Sequence, residues 1–232
     1  MLNPNLLKNT QFMREQLRQP FVILENALLP EVAEELYEEL AGFDGWNYQD
    51  QKSLSEEQIA YQETHAPGYT FSRHNLQFGV DKLPPALQRF RGYLVSEPVR
   101  QWMADISGRR CDDFEGGAAL LKEGGHIAEH NDYGVYRQKD GTTVTRALTF
   151  NYYLTRNWQP QWGGHFVWKR PCTRVVPSFN TLVMFLVGQN SNHYVEAVTP
   201  HARENRLAIT GWYRTIREPL QLEKPDPDEE NK

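Results

Sequence analysis

From residue 118 onward the chain breaks into short apolar segments of strand length. They fall at 118–122, 127–132, 146–154, 165–168, 181–185, 193–198 and 206–214, and are rich in Val, Ile, Leu and aromatic residues. Polar or Gly- and Pro-bearing turns part them. Seven or eight such strands behind a helical first half predict a mainly β fold, a double-sheet barrel of jelly-roll type backed by helices.

The first half carries the supporting pattern. After Pro20, the run Phe21-Val22-Ile23-Leu24 reads as a strand. Pro30 opens a helix in which Val32, Ala33, Leu36, Tyr37 and Leu40 recur at helical spacing, and Gly42 stops it. Two more helices are expected at 84–96 and 98–107, the second ended by Gly108. Between 45 and 79 aromatic and polar residues alternate without a steady period. A strand at 69–73 and an excursion that covers a substrate are the expectation there, with the polar loop 133–145 as a second contact region. Residues 1–19 read as a short helix or an arm. The chain of 232 residues suits one domain, divided as a support region (1–110), a β core (111–218) and an acidic, proline-bearing, disordered tail (219–232).

Chemistry is concentrated in Gly125-His126-Ile127-Ala128-Glu129-His130-Asn131-Asp132. On a strand, His130 and Asp132 point to the same face, so one imidazole and one carboxylate can share a metal ion. His193, opening the segment at 193–198, supplies a third ligand. Two histidines and a carboxylate leave three coordination positions open, as non-haem Fe(II) requires; Zn²⁺ with a bound water could use the same set. His126, four residues before His130, shares its strand face and reads as a rim residue. His65, His74, His165 and His201 receive no role.

The last strand adds a constraint. Strict alternation puts Arg206, Ala208, Thr210 and Trp212 on one face. Inside an apolar barrel an unpaired guanidinium is costly, and its natural partner is a carboxylate held bidentately. No carboxylate of that strand faces the same way, which points to a ligand carboxylate. Across the barrel Thr149, Asn151 and Tyr153 share a face, and the Tyr153 phenol can donate to the same group.

The order His130-Asn131-Asp132, Arg146 to Leu154, Trp158, Gly163-Gly164, Pro177 to Phe185, His193 and Arg206 to Trp212 resembles the 2-oxoglutarate/Fe(II) dioxygenases, most closely their prolyl 4-hydroxylase branch. The resemblance covers roughly 115–214. It implies a double-stranded β-helix (jelly-roll, cupin-like) with iron on His130, Asp132 and His193. It also implies 2-oxoglutarate bound to Arg206 and Tyr153, dioxygen as oxidant and ascorbate as an optional auxiliary. Asn151, Thr210 and Trp212 become pocket residues, and no catalytic residue is expected beyond the metal ligands. Leu120 and Leu121 stand where the branch often has a tyrosine. Arg206 follows His193 by thirteen positions, which leaves Arg203 as a competitor.

The implied activity is hydroxylation of an unactivated C–H bond, in a prolyl or other residue of a protein or peptide. The alternatives are a free amino acid or small metabolite as substrate, a zinc hydrolase built on the same ligands, and a non-catalytic cupin-like binder. The hydrolase leaves Arg206 and Tyr153 without a role. A net charge of −5 and Trp212 disfavour a nucleic-acid substrate. Asp132 argues against halogenation, which needs that position free. The first 19 residues are too polar for a signal peptide, and no apolar run reaches the length of a membrane span. Two cysteines, Cys111 and Cys172, suit a reducing compartment, so a cytoplasmic protein is expected. The N-terminal arm offers a route to a homodimer.

Overall fold

Proline and glycine punctuate the helical layer where the sequence places them. The computed structural model describes residues 1–65, 68–79, 82–138 and 140–217, with backbone alone for 61–65; the expected acidic tail lies outside them. Two short helices, α1 (Pro4–Leu7) and α2 (Thr10–Gln16), precede strand β1 (Val22–Glu25). Helix α3 (Pro30–Ala41) begins on its proline and buries Ala33, Leu36 and Leu40. Strand β2 (Asn47–Asp50), helix α4 (Glu56–His65) and strand β3 (Phe71–Gln77) follow. Helices α5 (Pro85–Leu94) and α6 (Glu97–Ser107) complete the layer, the latter closed by Gly108 at φ 66°.

Helix α4 occupies part of the segment read as an irregular excursion. Its sequence has no apolar stripe, so no period announces it. What starts it is a capping box: the Gln58 amide donates to Ser55 Oγ (3.3 Å) and the Ser55 amide to Gln58 Oε1 (2.9 Å).

The second half supplies β4 (Asp113–Leu121), β5 (His126–His130), β6 (Val135–Arg137), β7 (Thr143–Tyr153), β8 (Phe166–Trp168), β9 (Thr173–Val175), β10 (Thr181–Leu186), β11 (His193–Val195) and β12 (Arg206–Arg217). The three-residue strands β6 and β9 are too short to show a period. Hydrogen bonding runs in the order β1-β10-β7-β12-β4-β3-β5-β11-β8-β9, with β2 added to β3 and β6 to β7. Strand β3 is the fold line: residues 74–77 pair with β4, while Phe71 and Ser72 pair with β5. One long antiparallel ribbon is thereby bent into two facing sheets, the double-stranded β-helix.

Alternation along β12 divides the interior. Leu207, Ile209 and Tyr213 face the helices, with Leu120, Phe150, Tyr152 and Leu182, and form the main core. Arg206, Ala208, Thr210 and Trp212 face the opposite sheet, level with Tyr153, Asn151 and Thr149 on β7. The phase expected from the sequence is therefore correct. Two smaller apolar clusters line that inner space. Phe166, Trp168, Val183 and Phe185 belong to one, and Leu121, Trp158, Val195 and Val198 to the other. No helix among the described residues is long and apolar enough to cross a membrane.

Candidate metal centre

His130, Asp132 and His193 meet inside the two-sheet space, with one potential ligand atom from each lying within 4.8 Å of the others. His130 and His193 are direct cross-strand partners on β5 and β11, their ring centroids 4.4 Å apart. From His130 to Ile127 three steps on β5 match the two from His193 to Val195 on β11. This register shift turns Ile127 and His130 to the same side. It also breaks the expected equivalence of His126 with His130. His126 instead bonds the Gly124 carbonyl oxygen (2.9 Å) and Thr70 Oγ1 (3.1 Å), away from the triad. Asp132 lies two residues past the end of β5, so chain reversal rather than strand alternation aims its carboxylate.

The imidazoles are pre-set as ligands. Nδ1 of His130 faces the Ala128 carbonyl oxygen at 2.8 Å, and Nδ1 of His193 faces that of Ser191 at 2.7 Å. A carbonyl only accepts, so each Nδ1 carries the proton and each Nε2 keeps a free lone pair. Those Nε2 atoms lie 3.7 and 3.6 Å from the two oxygens of Asp132. Phe166, Phe185 and Trp168 surround the His193 ring. Burial, reinforced by His130, lowers the His193 pKa to about 4. Burial alone would raise Asp132, but His193, His130 and Arg146 outweigh it and hold the carboxyl below its ordinary value.

The His193 shift has a signed consequence. In the unfolded chain His193 takes up a proton near the ordinary imidazole value of 6.5, while in the metal-free fold it stays neutral down to about 4. The unfolded state therefore binds more protons in that window, and metal-free stability should fall as pH drops through it. Denaturation midpoints at neutral and mildly acid pH measure this. A midpoint that stays constant, or that falls equally in His193→Gln, contradicts the assignment.

Asp132 is also held from β7, where Thr149 Oγ1 and Arg146 Nη1 each lie 3.4 Å from it. Arg146 is stacked on the Trp212 ring, 3.6 Å from its centroid. Strict alternation from Thr149 would send Arg146 towards the helices. An extra β7 residue opposite the Tyr213/Arg214 step turns it inward, so strand alternation alone assigns this landmark no role.

Further in, Arg206 is 3 % exposed and its Nε donates to the Gly164 carbonyl oxygen at 2.6 Å. Among the described residues it forms no ion pair. Burial lowers its pKa, opposed by Tyr153, whose own phenol burial pushes up to about 12. The guanidinium carbon is 5.1 Å from the Tyr153 ring centroid. On the helix-facing side, buried tyrosines have partners: Tyr152 donates to Asn180 Oδ1 (3.0 Å) and Tyr213 to the Leu94 carbonyl (3.2 Å). On the inner side, the Tyr153 hydroxyl has no acceptor among the described residues; only the Arg206 guanidinium interacts with it. A buried orphan phenol beside a buried unpaired guanidinium fits a ligand carboxylate. Arg203, the competing anchor, is exposed in the turn before β12.

The inner face between these two groups is kept low. Thr149, beside Asp132, and Tyr153, beside Arg206, are four residues apart on β7, about 13 Å along a strand. Half-buried Asn151 and Thr210 lie between them, with Ala208, Ala119 and Gly117 in the adjoining rows. Small side chains leave room there for a slender dicarboxylate reaching from the triad to Arg206. Gly164, at φ 65°, adds a positional limit. A Cβ on it would sit 3.1 Å from Arg206 Cδ and 3.1 Å from Trp158. Gly164→Ala should lower stability by about 1–3 kcal/mol and weaken dicarboxylate binding together. Thermal melts and a 2-oxoglutarate titration check it, and an unchanged affinity would separate Gly164 from the anchor.

Tyr69 and Arg73, which the sequence reading passed over, also face this space. The Tyr69 ring stands edge-on to His130, 5.3 Å between centroids. His165 instead pairs with Glu196 at 2.7 Å.

Residues 116–214 match the family model described as the 2OG-Fe(II) oxygenase superfamily. The mouse prolyl 3-hydroxylase OGFOD1 is 29 % identical over 154 residues, 58 % of this chain and 25 % of the mouse protein. The chain thus spans about a quarter of that relative's length. A Pseudomonas putida prolyl-4-hydroxylase is similar in structure, with TM-score 0.64 and 20 % identity over 88 % of this chain and 98 % of its own. So is a Trichoplax adhaerens prolyl hydroxylase solved with a peptide fragment of the hypoxia inducible factor oxygen degradation domain, at 0.61 and 20 % over 92 % and 93 %. These comparisons give the zinc-hydrolase reading no support. The matched segment contains the whole triad and is similar to the 2OG-Fe(II) oxygenase superfamily, and the chain shares the fold of prolyl hydroxylases.

Proposed function

We propose that the chain is a 2-oxoglutarate- and Fe(II)-dependent oxygenase that hydroxylates a prolyl or other amino-acid residue of a peptide or protein. One observation carries the reading. A largely buried two-histidine, one-carboxylate set and a buried arginine–tyrosine pair without a carboxylate partner among the described residues lie on the same inner face, joined by small residues.

His130, Asp132 and His193 would hold the iron, with Nε2 lone pairs fixed by backbone carbonyls and the carboxylate oriented by Thr149 and Arg146. Arg206 and Tyr153 would hold the far carboxylate of 2-oxoglutarate. When bound, Fe(II) and 2-oxoglutarate supply the activation of dioxygen for C–H hydroxylation. The chain's own part is to orient these groups and keep water out. The Phe166, Trp168, Val183 and Phe185 wall does the latter. Asn151, Thr210 and Trp212 line the remaining pocket. Support for a peptide substrate comes from the peptide complex of the Trichoplax protein and the prolyl hydroxylase relatives. The free thiols Cys111 and Cys172 suit the cytoplasmic setting proposed here, and ascorbate is proposed as an auxiliary tested by its omission.

The test is mass-spectrometric. Proline-containing peptides incubated with the protein, Fe(II), 2-oxoglutarate and air should gain one oxygen atom while succinate accumulates in equal amount. Free proline, run in parallel, addresses the small-molecule alternative. Oxidation of free proline with no peptide modified would overturn the peptide reading.

A further inference from the structure

Arginines in this chain are generally provided for. Arg89 pairs with Glu35, Arg174 with Glu196 (2.7 Å) and Arg214 with Asp113 and Glu115 (2.5 and 2.9 Å). Arg109 donates to two backbone carbonyls, at 2.9 and 2.6 Å. Among the described arginines that are not exposed, Arg73 is the exception besides Arg206. Its Nε is buried without a partner, and among the described residues it forms no ion pair and no hydrogen bond. Its guanidinium carbon lies over the Phe71 ring, 5.4 Å from the centroid.

The register fixes where it faces. On β3 Leu76 packs with the helices, so Phe71, Arg73 and Asn75 share the opposite face, level with Ala119 of the inner wall. Gln49, directly across from Arg73 on β2, accepts instead from Asn75 Nδ2 (3.1 Å) through its Oε1. Tyr69 continues the same face, its ring 5.9 Å from Phe71 and 5.3 Å from His130. Its phenol lies in the electrostatic range of Arg73 on one side and of Asp132 and Arg146 on the other. Arg73 therefore stands one tyrosine away from the metal ligands, at the β3 side of the space.

Arg73 is half-buried, and a guanidinium whose Nε is withdrawn from water stays protonated and is best offset by an anion. In the oxygenase reading, both carboxylates of 2-oxoglutarate already have places, one at the metal and one at Arg206. We infer that Arg73 determines prime-substrate specificity by binding a carboxylate that the substrate carries near the hydroxylated carbon. This rests on the function proposed above. Bidentate geometry favours a carboxylate over a lone carbonyl. Either an acidic side chain or a free α-carboxylate supplies that chemistry.

The experiment uses a peptide library with one fixed proline, random flanks, and C termini either free or amidated. Peptides retained by the intact protein with Fe(II) and 2-oxoglutarate under argon are sequenced by mass spectrometry. Asp and Glu at one flanking position should be enriched about tenfold, as expected for charge-assisted hydrogen bonds. Enrichment of free over amidated C termini would instead identify an α-carboxylate. The preference should vanish in Arg73→Met, survive in part in Arg73→Lys and turn towards Lys and Arg in Arg73→Glu. The visible band of the Fe(II)–2-oxoglutarate complex should be the same in all of them. With that band intact, no acidic preference, or one that persists in Arg73→Met, overturns the inference. A wild-type protein without the band fails the oxygenase reading first, and this inference with it.

Discussion

His193→Ala should remove Fe(II)–2-oxoglutarate complex formation and reduce 2-oxoglutarate turnover by about a thousandfold or more. The size follows from what the residue does in the triad. Its Nε2 lone pair is one of three donors within 4.8 Å, and the two that remain cannot replace it. Among the described residues no further neighbouring side chain offers a substitute, since Phe166, Phe185 and Trp168 pack around the ring. The readout is anaerobic titration with Fe(II) and 2-oxoglutarate, following the weak visible charge-transfer band. Truncating a buried ring also leaves a cavity, at a cost of about 2–4 kcal/mol. His193→Gln keeps most of the volume and serves as the folding control. Both variants should lack the band, while only the alanine variant should unfold at clearly lower denaturant. A wild-type band that His193→Ala leaves in place would remove His193 from the centre, and the proposed oxygenase with it.

The sequence is informative here where strands follow strict alternation, and misleading where they do not. On β12 and the second half of β7, period two gives the correct face for Arg206, Thr210, Trp212, Asn151 and Tyr153. The same rule misplaces His126 and overlooks Arg146. In both strands one extra residue shifts the register, and a bulge leaves no mark in the pattern of residue types. Asp132 follows His130 at the right spacing for a different reason, because it lies beyond the strand end. Helix α4 escaped because its capping box, not an apolar stripe, announces it. Tyr69 and Arg73 escaped because β3 belongs to two sheets. Nothing local shows that a half-polar strand in the first part of the chain closes the barrel built by the second.

Arg206→Met should raise the 2-oxoglutarate concentration needed for half-formation of the complex by about thirtyfold to a thousandfold, the range for truncating one partner of a buried, hydrogen-bonded charge pair. The substitution keeps the length and apolar stem of the side chain, so packing against Gly164 and Trp158 is largely preserved. In the protein without co-substrate the direction for stability is opposite. Arg206 there pairs with no carboxylate among the described residues, and replacing an unpaired buried charge by an apolar group should stabilise the fold by about 1–3 kcal/mol. Weaker binding in a more stable protein marks a residue kept for its ligand; a structural ion pair would give the reverse. Tyr153→Phe removes only a neutral hydroxyl and should cost about three- to tenfold in affinity. Arg203→Ala, at an exposed turn, should change it less than twofold. The measurements are the same visible titration, with 2-oxoglutarate varied at fixed Fe(II), and denaturant unfolding of the metal-free proteins. If Arg206→Met lowered stability and left the titration unmoved, the buried guanidinium would be part of the scaffold, and the carboxylate anchor would have to be sought elsewhere.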